Sequence, residues 1–372
     1  MQALADALHD DARRAFIARK RSHVAMRTAD YRTQEAEARA AIRLAEGAGD
    51  AECKLHAQRL LADALGAQGR HAEGEAIARA GLAEARALGL RRAEGVFLNT
   101  LSFIASEQDD QVSGLALDLE DLPIWRELGD PQGESIALGN VGGDWLWFGE
   151  LAQARRYLTQ ALELARSIGA RFMQLAPLGD LSEVALREGD AEQALALARE
   201  AQGMAVETQA VDFEAKLLYR IGDAELALGH HAQAAAAYER AEAIGREIGL
   251  GVGFDARAGR ARVALATGDV AAAVTLVEPL LPASGGAFDG ANTRLVLFTC
   301  HRVLAAAGDA RALQLLQGAH EALRHRAATI SDGVLRESFL ARIAENAEIA
   351  AAWQKMREAE SGSPASEASP GA

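Results

Sequence analysis

The stretch "GELAQARRYLTQALELARSIG", residues 149–169, reads as one amphipathic helix held between two glycines, with no catalytic residue pattern in it. Forty residues later stands "GDAEQALALAREAQGMAVETQ", and forty after that "GHHAQAAAAYERAEAIGREIG". The repetition turns a reading of one helix into a reading of the whole chain.

Stepping from the first glycine of the stretch gives Gly69, Asp109, Gly149, Gly189, Gly229, Gly268 and Gly308. A second series, Gly49, Gly89, Gly129, Gly169, Gln209 and Gly249, falls midway between them. Together they cut the chain into helices of about 18 residues, each near 27 Å long. Glycine recurs because a helix commonly ends in one left-handed residue, a conformation that strains other side chains. Small residues keep the same register. Seven before each turn stand Ala62, Ser102, Gly142, Ser182, Gly222, Ala261 and His301; five after it stand Gly74, Gly114, Ala154, Ala194, Ala234 and Ala273. Helices that cross closely need short side chains at the crossing, and these columns supply them. Just before the first column, Leu61, Leu101, Val141, Leu181 and Ile221 form the ridge that fills the groove.

This pattern resembles the tetratricopeptide repeat, and "NVGGDWLWFGELAQARRYLTQALEL" carries the likeness best. The period is forty rather than about 34 residues, which lengthens both helices. In that respect the chain is similar to the long-repeat arrays at the C-terminal end of bacterial signalling ATPases, including cyclase-linked regulators and activators of the maltose-activator type. The segment from Cys300 to Trp353 resembles the terminal cap of those arrays, with Ala347 where a basic residue is usual. No GxxxxGK[ST] phosphate loop occurs, so the resemblance covers the sensor or docking half without the ATPase. The start at Met1 suggests a product in its own right.

The expected fold is all-α: a right-handed α-solenoid of antiparallel helix pairs with a C-terminal capping helix. Residues 1–30 give a lead-in helix, 31–330 about seven forty-residue units, and 331–358 the cap, striped by Phe339/Ile343 and Ile349/Trp353. The polar tail 359–372 has no face to bury and is read as disordered. Pro131 after Asp130 marks a helix start, Pro177 is expected to kink a helix, and Pro279 and Pro282 to end one early.

Composition narrows the partners. With 49% hydrophobic but only 5% aromatic residues, the chain is rich in strong helix formers. A formal charge of −14 opposes direct nucleic-acid binding and anionic membranes. Cys53 and Cys300 stand alone, which argues against a disulfide or zinc framework and fits a cytoplasmic protein; neither a signal peptide nor a membrane span is evident. "GVGFDA" from Gly251 matches a loose dinucleotide fingerprint, but without a preceding strand it reads as a helix cap. His230 with His231, and His320 with His325, miss metal-pair spacing. No nucleophile with a base is evident, so neither an enzyme nor a cofactor is expected.

The resemblance implies that the first helix of each pair lines a concave wall. Residues four apart there form stripes: Asn99-Phe103-Glu107, Gly139-Gly143-Trp147, Gly179-Glu183-Arg187 and Tyr219-Asp223-Ala227. Two helix glycines below a tryptophan mark space for an occupant, either a neighbouring helix or a ligand. The candidate pocket has Gly139 and Gly143 as floor, Phe103, Trp147 and Tyr219 as walls, and Asn99, Asn140, Glu183, Arg187 and Asp223 as polar groups. Asp63, Glu183 and Asp223 oppose the carboxylate tail that some such domains clamp, which disfavours a chaperone adaptor. The expected function is a non-catalytic scaffold that docks a protein or peptide segment in signal transduction or transcriptional control. A small-molecule sensor with the glycine and tryptophan stripe as receptor is the alternative.

Overall fold

A computed structural model of the chain describes residues 10–27, 30–281 and 292–361. These residues form α-helices and two short 3-10 turns, with no strand among them. In chain order the helices are α1 (Asp11–Arg27), α2 (Tyr31–Ala48), α3 (Ala51–Ala67), α4 (His71–Ala87), α5 (Arg91–Glu107), α6 (Gln111–Leu128), α7 (Pro131–Trp147), α8 (Leu151–Ser167) and α9 (Leu175–Arg187). They continue with α10 (Ala191–Glu207), α11 (Val211–Ala227), α12 (His231–Ile248), α13 (Val252–Ala266), α14 (Val270–Val277), α15 (Thr293–Ala306), α16 (Ala312–Thr329), α17 (Gly333–Ala341) and α18 (Ala344–Ser361). The chain divides into two compact units, Met1–Asp144 and Trp145–Ala372. Successive helices pack on one another from α1 to α6 in the first unit and from α8 to α18 in the second, and odd-numbered helices also stack on one another: α1, α3 and α5 in the first unit, α9, α11, α13 and α15 in the second.

The turns follow the two glycine series without exception. Every positive φ among the described residues falls on them, including 61° at Asp109 and 55° at Gln209, the two positions that are not glycine. The residue after each left-handed turn donates back to the carbonyl five before it, as in Leu90 N to Ala85 O at 2.9 Å, which closes the helix end. At some of these turns an aspartate then caps the next helix: Asp50 accepts from Cys53 N and Asp190 from Gln193 N, each at 2.9 Å. Gln209 is exposed yet held in a conformation that favours glycine. Gln209→Gly is therefore expected to raise unfolding free energy by about 1 kcal/mol, read as a higher urea midpoint; a lower midpoint would contradict it.

The small-residue columns meet where helices cross. Ser182 Oγ donates to Ala194 O at 2.7 Å, and a methyl group at Gly74 would lie 3.0 Å from Ala62 O. Other helix glycines receive aromatic rings. Tyr238 is wedged between Gly222 and Gly259, where a methyl group on either would approach its ring to 2.5 Å. Trp125 sits likewise between Gly95 and Gly133, and Phe97 against Gly81. These glycines clear space for a ring from the adjacent helix, which offsets their poor helix propensity.

The proline expectations divide. Asp130 Oδ1 accepts from Gln132 N and Gly133 N as α7 begins at Pro131. Pro177 kinks nothing: a 3-10 turn at Phe172–Gln174 delays the helix, so the ring falls in the first turn of α9, where no amide is needed. Pro123, which the sequence reading passed over, sits inside α6. Pro279 lies in the 3-10 turn Glu278–Leu280 that closes the eight-residue α14; Pro282 lies outside the described residues.

The capping segment is two helices rather than one. Asn346 Nδ2, in the first turn of α18, donates to Phe339 O at 2.8 Å and closes the end of α17. α18 runs to Ser361, and residues 362–372, most of the tail expected to lack structure, lie outside the described residues.

Candidate functional site

The odd-numbered helices of the second unit carry a ladder of ion pairs, each rung spanning one repeat. On α9, Glu183 pairs with Arg187 four residues on and with Arg220 of α11. Arg220 also reaches Asp180 at 3.4 Å. On the next rung, Arg262 of α13 donates to Asp223 of α11 at 2.8 Å, while the Tyr238 hydroxyl donates to the same carboxylate at 2.6 Å. Arg262 lies over the Tyr238 ring, 5.5 Å from its centroid, and 3.4 Å from the Tyr219 hydroxyl. These side chains keep contact with solvent: Glu183 is 22% exposed, Arg220 25% and Arg262 32%.

Their electrostatics are graded. Burial would raise the Glu183 carboxyl, but Arg220 and Arg187 outweigh it and hold it down at about 2. Asp180 is pushed up to about 6 by burial, against the pull of Arg220. Asp255 on α13 is also raised by burial to about 6, although Asn292 N donates to it at 3.0 Å. Burial lowers Arg294 on α15 to about 10, and Arg326 and Arg187 push the same way more strongly than Glu345 and Glu183 resist. The face therefore offers fixed donors and acceptors side by side.

The C-terminal helices fold back onto the start of this unit. Phe339 of α17 stacks on Trp147, with ring centroids 4.7 Å apart and planes 19° from parallel. Arg342 Nη1 meets Glu150 at 2.8 Å across 192 residues of sequence, and a methyl group at Gly149 would lie 3.1 Å from Ile343. Arg294 ties the same segment down, donating to Asn346 Oδ1 at 2.7 Å and lying over the Phe339 ring. Phe339 is fully buried, so the space beside Trp147 holds a side chain of the chain itself.

The residues singled out from sequence divide between the units. Trp147, Glu183, Arg187, Tyr219 and Asp223 belong to the second, where Glu183 with Arg187 and Tyr219 with Asp223 join the ladder. Asn99, Phe103, Gly139, Asn140 and Gly143 belong to the first. There Phe103 is 52% exposed and Asn99 half-buried, while Asn140 Nδ2 donates to Asp118 Oδ1 at 3.4 Å. Arg220 and Arg262 were missed, although a signal existed: each stands about one period after an acid, 40 beyond Asp180 and 39 beyond Asp223.

Asn140 points at an unexpected group of buried acids in the first unit. Asp118 accepts from Ser102 Oγ at 2.6 Å, and Gln111 donates to Asp144. Burial raises both carboxyls, and the charge of Asp118 raises Asp144 further. Asp121 is fully buried, and neither of its oxygens has a hydrogen-bond partner in normal geometry. Burial pushes it up to about 7, against an opposing pull from the Trp125 indole. Among the described residues no group of His, Cys, Asp and Glu is placed to hold a metal, and no helix is long and apolar enough to cross a membrane.

The forty-residue helix pairs, left-handed turns and stacked odd-numbered helices define a tetratricopeptide-like α-solenoid. Among solved structures the chain is similar to a Rap protein complexed with competence and sporulation factor: 14% identity, 93% of this chain and 100% of that one covered, TM-score 0.62. It is also similar to NprR in complex with its cognate peptide NprX, at 14% identity, covering 92% of this chain and 98% of that one, TM-score 0.55. A third likeness is to a Signal Transduction ATPase with Numerous Domains from Pyrococcus horikoshii with a tetratricopeptide repeat sensor. Identity there is 18%, with 67% of this chain and 39% of that one covered, TM-score 0.53. At these identities the likeness concerns the fold. No family model and no curated protein sequence matches the chain.

Proposed function

We propose that the chain is a non-catalytic, cytoplasmic regulatory scaffold that binds a peptide segment along the odd-numbered helices of its second unit. The observation that carries this is the ladder on α9, α11 and α13, where partly exposed arginines and carboxylates alternate beside Tyr219 and Tyr238. An extended peptide needs both donors and acceptors at short intervals, and a rigid face supplies them with little entropy to lose. The similar solved structures of NprR in complex with its cognate peptide and of a Rap protein complexed with competence and sporulation factor give the reading further support. A role in bacterial signal transduction or transcriptional control goes with it, with binding shifting the packing between adjacent repeats.

The test is site-directed photocrosslinking of the full chain with a mixed-sequence peptide library. A benzophenone side chain at Tyr219 is expected to label bound peptides, while the same group at Glu200, exposed on α10, labels none. Equal labelling at both positions, or none at Tyr219, would overturn the proposal.

A further inference from the structure

The first unit holds a cavity of about 310 Å³ between the N-terminal halves of α3 and α5, apart from the ladder described above. Buried Leu55 and Phe97 give it an apolar floor, and the more exposed Leu128 adds to its apolar lining. Arg59 of α3, with Arg91 and Arg92 of α5, brings cations to its lining, beside His56 and one acid, Glu52.

The cations are only partly satisfied. Arg59 is held by Asp63, Arg91 by Glu94 and Glu127, and Arg92 by Asp130; each guanidinium has five N–H donors, so donors remain. From α1, Arg19 adds a positive charge behind His56, and its Nε is buried without a hydrogen-bond partner among the described residues. Partial burial, then Arg19 and Arg59, hold the His56 imidazole below its usual value, against Glu52. At neutral pH the ring is therefore uncharged. An anion placed beside it would reverse that balance and draw a proton onto the imidazole.

We propose that this cavity binds a small amphiphilic carboxylate, with its chain on Leu55, Phe97 and Leu128 and its head group between His56 and Arg59. Cation and apolar floor act together: the head group meets charge-assisted donors, and the chain leaves water. Each additional buried methylene is worth about a fourfold gain in affinity, so the ligand is selected by chain length as well as charge. Binding takes up a proton at His56 and strengthens as pH falls from the alkaline side toward the imidazole range.

Calorimetric titration of the full chain with butyrate, hexanoate and octanoate, in two buffers of different ionisation enthalpy, tests this. Affinity is expected to rise about fourfold per methylene until the cavity is full. Octanol, equal in length but uncharged, is expected to bind at least about tenfold more weakly. Proton uptake should accompany octanoate binding in the wild type and vanish in His56→Gln. Val96→Trp, which fills the cavity from its lining, should abolish binding while the helical circular dichroism is kept. Equal binding of octanoate and octanol, octanoate binding retained in Val96→Trp, proton uptake unchanged in His56→Gln, or no octanoate binding would each overturn the proposal. The peptide-binding reading stands or falls separately, because its crosslinks lie in the other unit.

Discussion

Asp121→Asn stabilises the first unit by roughly 2–4 kcal/mol at pH 8 and by almost nothing at pH 4. Asp121 is completely buried, and burial lifts its carboxyl from 3.8 to about 7. Between those values the folded chain holds a proton that the unfolded chain has released. Stability is therefore greatest below the unfolded value and declines as pH rises through the folded one. Asparagine has nearly the same shape and cannot ionise, so it removes that decline. Asp118 and Asp144, both raised by burial, move wild-type stability the same way. Denaturant unfolding of wild type and variant at pH 4, 6 and 8 measures the effect as a gap that widens with pH. Parallel stability curves would show that the carboxyl is solvated.

Phe339→Ala is expected to cost the second unit about 3–5 kcal/mol, the range for emptying a buried aromatic site. The ring is fully buried, stacks on Trp147 and lies under Arg294. Its loss uncovers Trp147 and weakens the seat of Ile343 on the turn at Gly149. Two measurements check this: a lower denaturant midpoint for the second unit, and a red shift of tryptophan emission as water reaches Trp147. Phe339→Leu, which keeps most of the apolar volume, should recover part of the stability without restoring the stack. An unchanged midpoint in Phe339→Ala would mean that the C-terminal helices are not held by this contact.

Much of the fold was legible because its signals are local. A left-handed residue is needed at each helix end whatever the neighbours do, so Gly69 and Gly89 announce their turns from the sequence alone. Asp109 and Gln209 could be placed by period although neither is glycine, and both have positive φ. Pro177 misled because its ring is compatible with a first turn as well as with a kink, and only the position of the preceding 3-10 turn decides between them.

The candidate site was legible in part. Glu183, Arg187, Tyr219 and Asp223 stood out as stripes on single helices, which periodicity reveals. Their partners Arg220 and Arg262 lie one repeat away, and choosing them needs the register between helices. Asp118, Asp121 and Asp144 look like ordinary surface acids in sequence, since a carboxylate in an amphipathic helix is normally solvated.

The sequence by itself determined the forty-residue pitch, the helix ends and the small-residue crossings, because each depends on sterics within a few residues of one backbone. Only the tertiary structure decided that Phe339 meets Trp147, that Tyr238 fills the gap between Gly222 and Gly259, and that Asp121 is shut away from water. The first two depend on angles between successive helices within the second unit, which add up over many residues. The third depends on how fully neighbouring helices close over one side chain. No local pattern encodes either quantity.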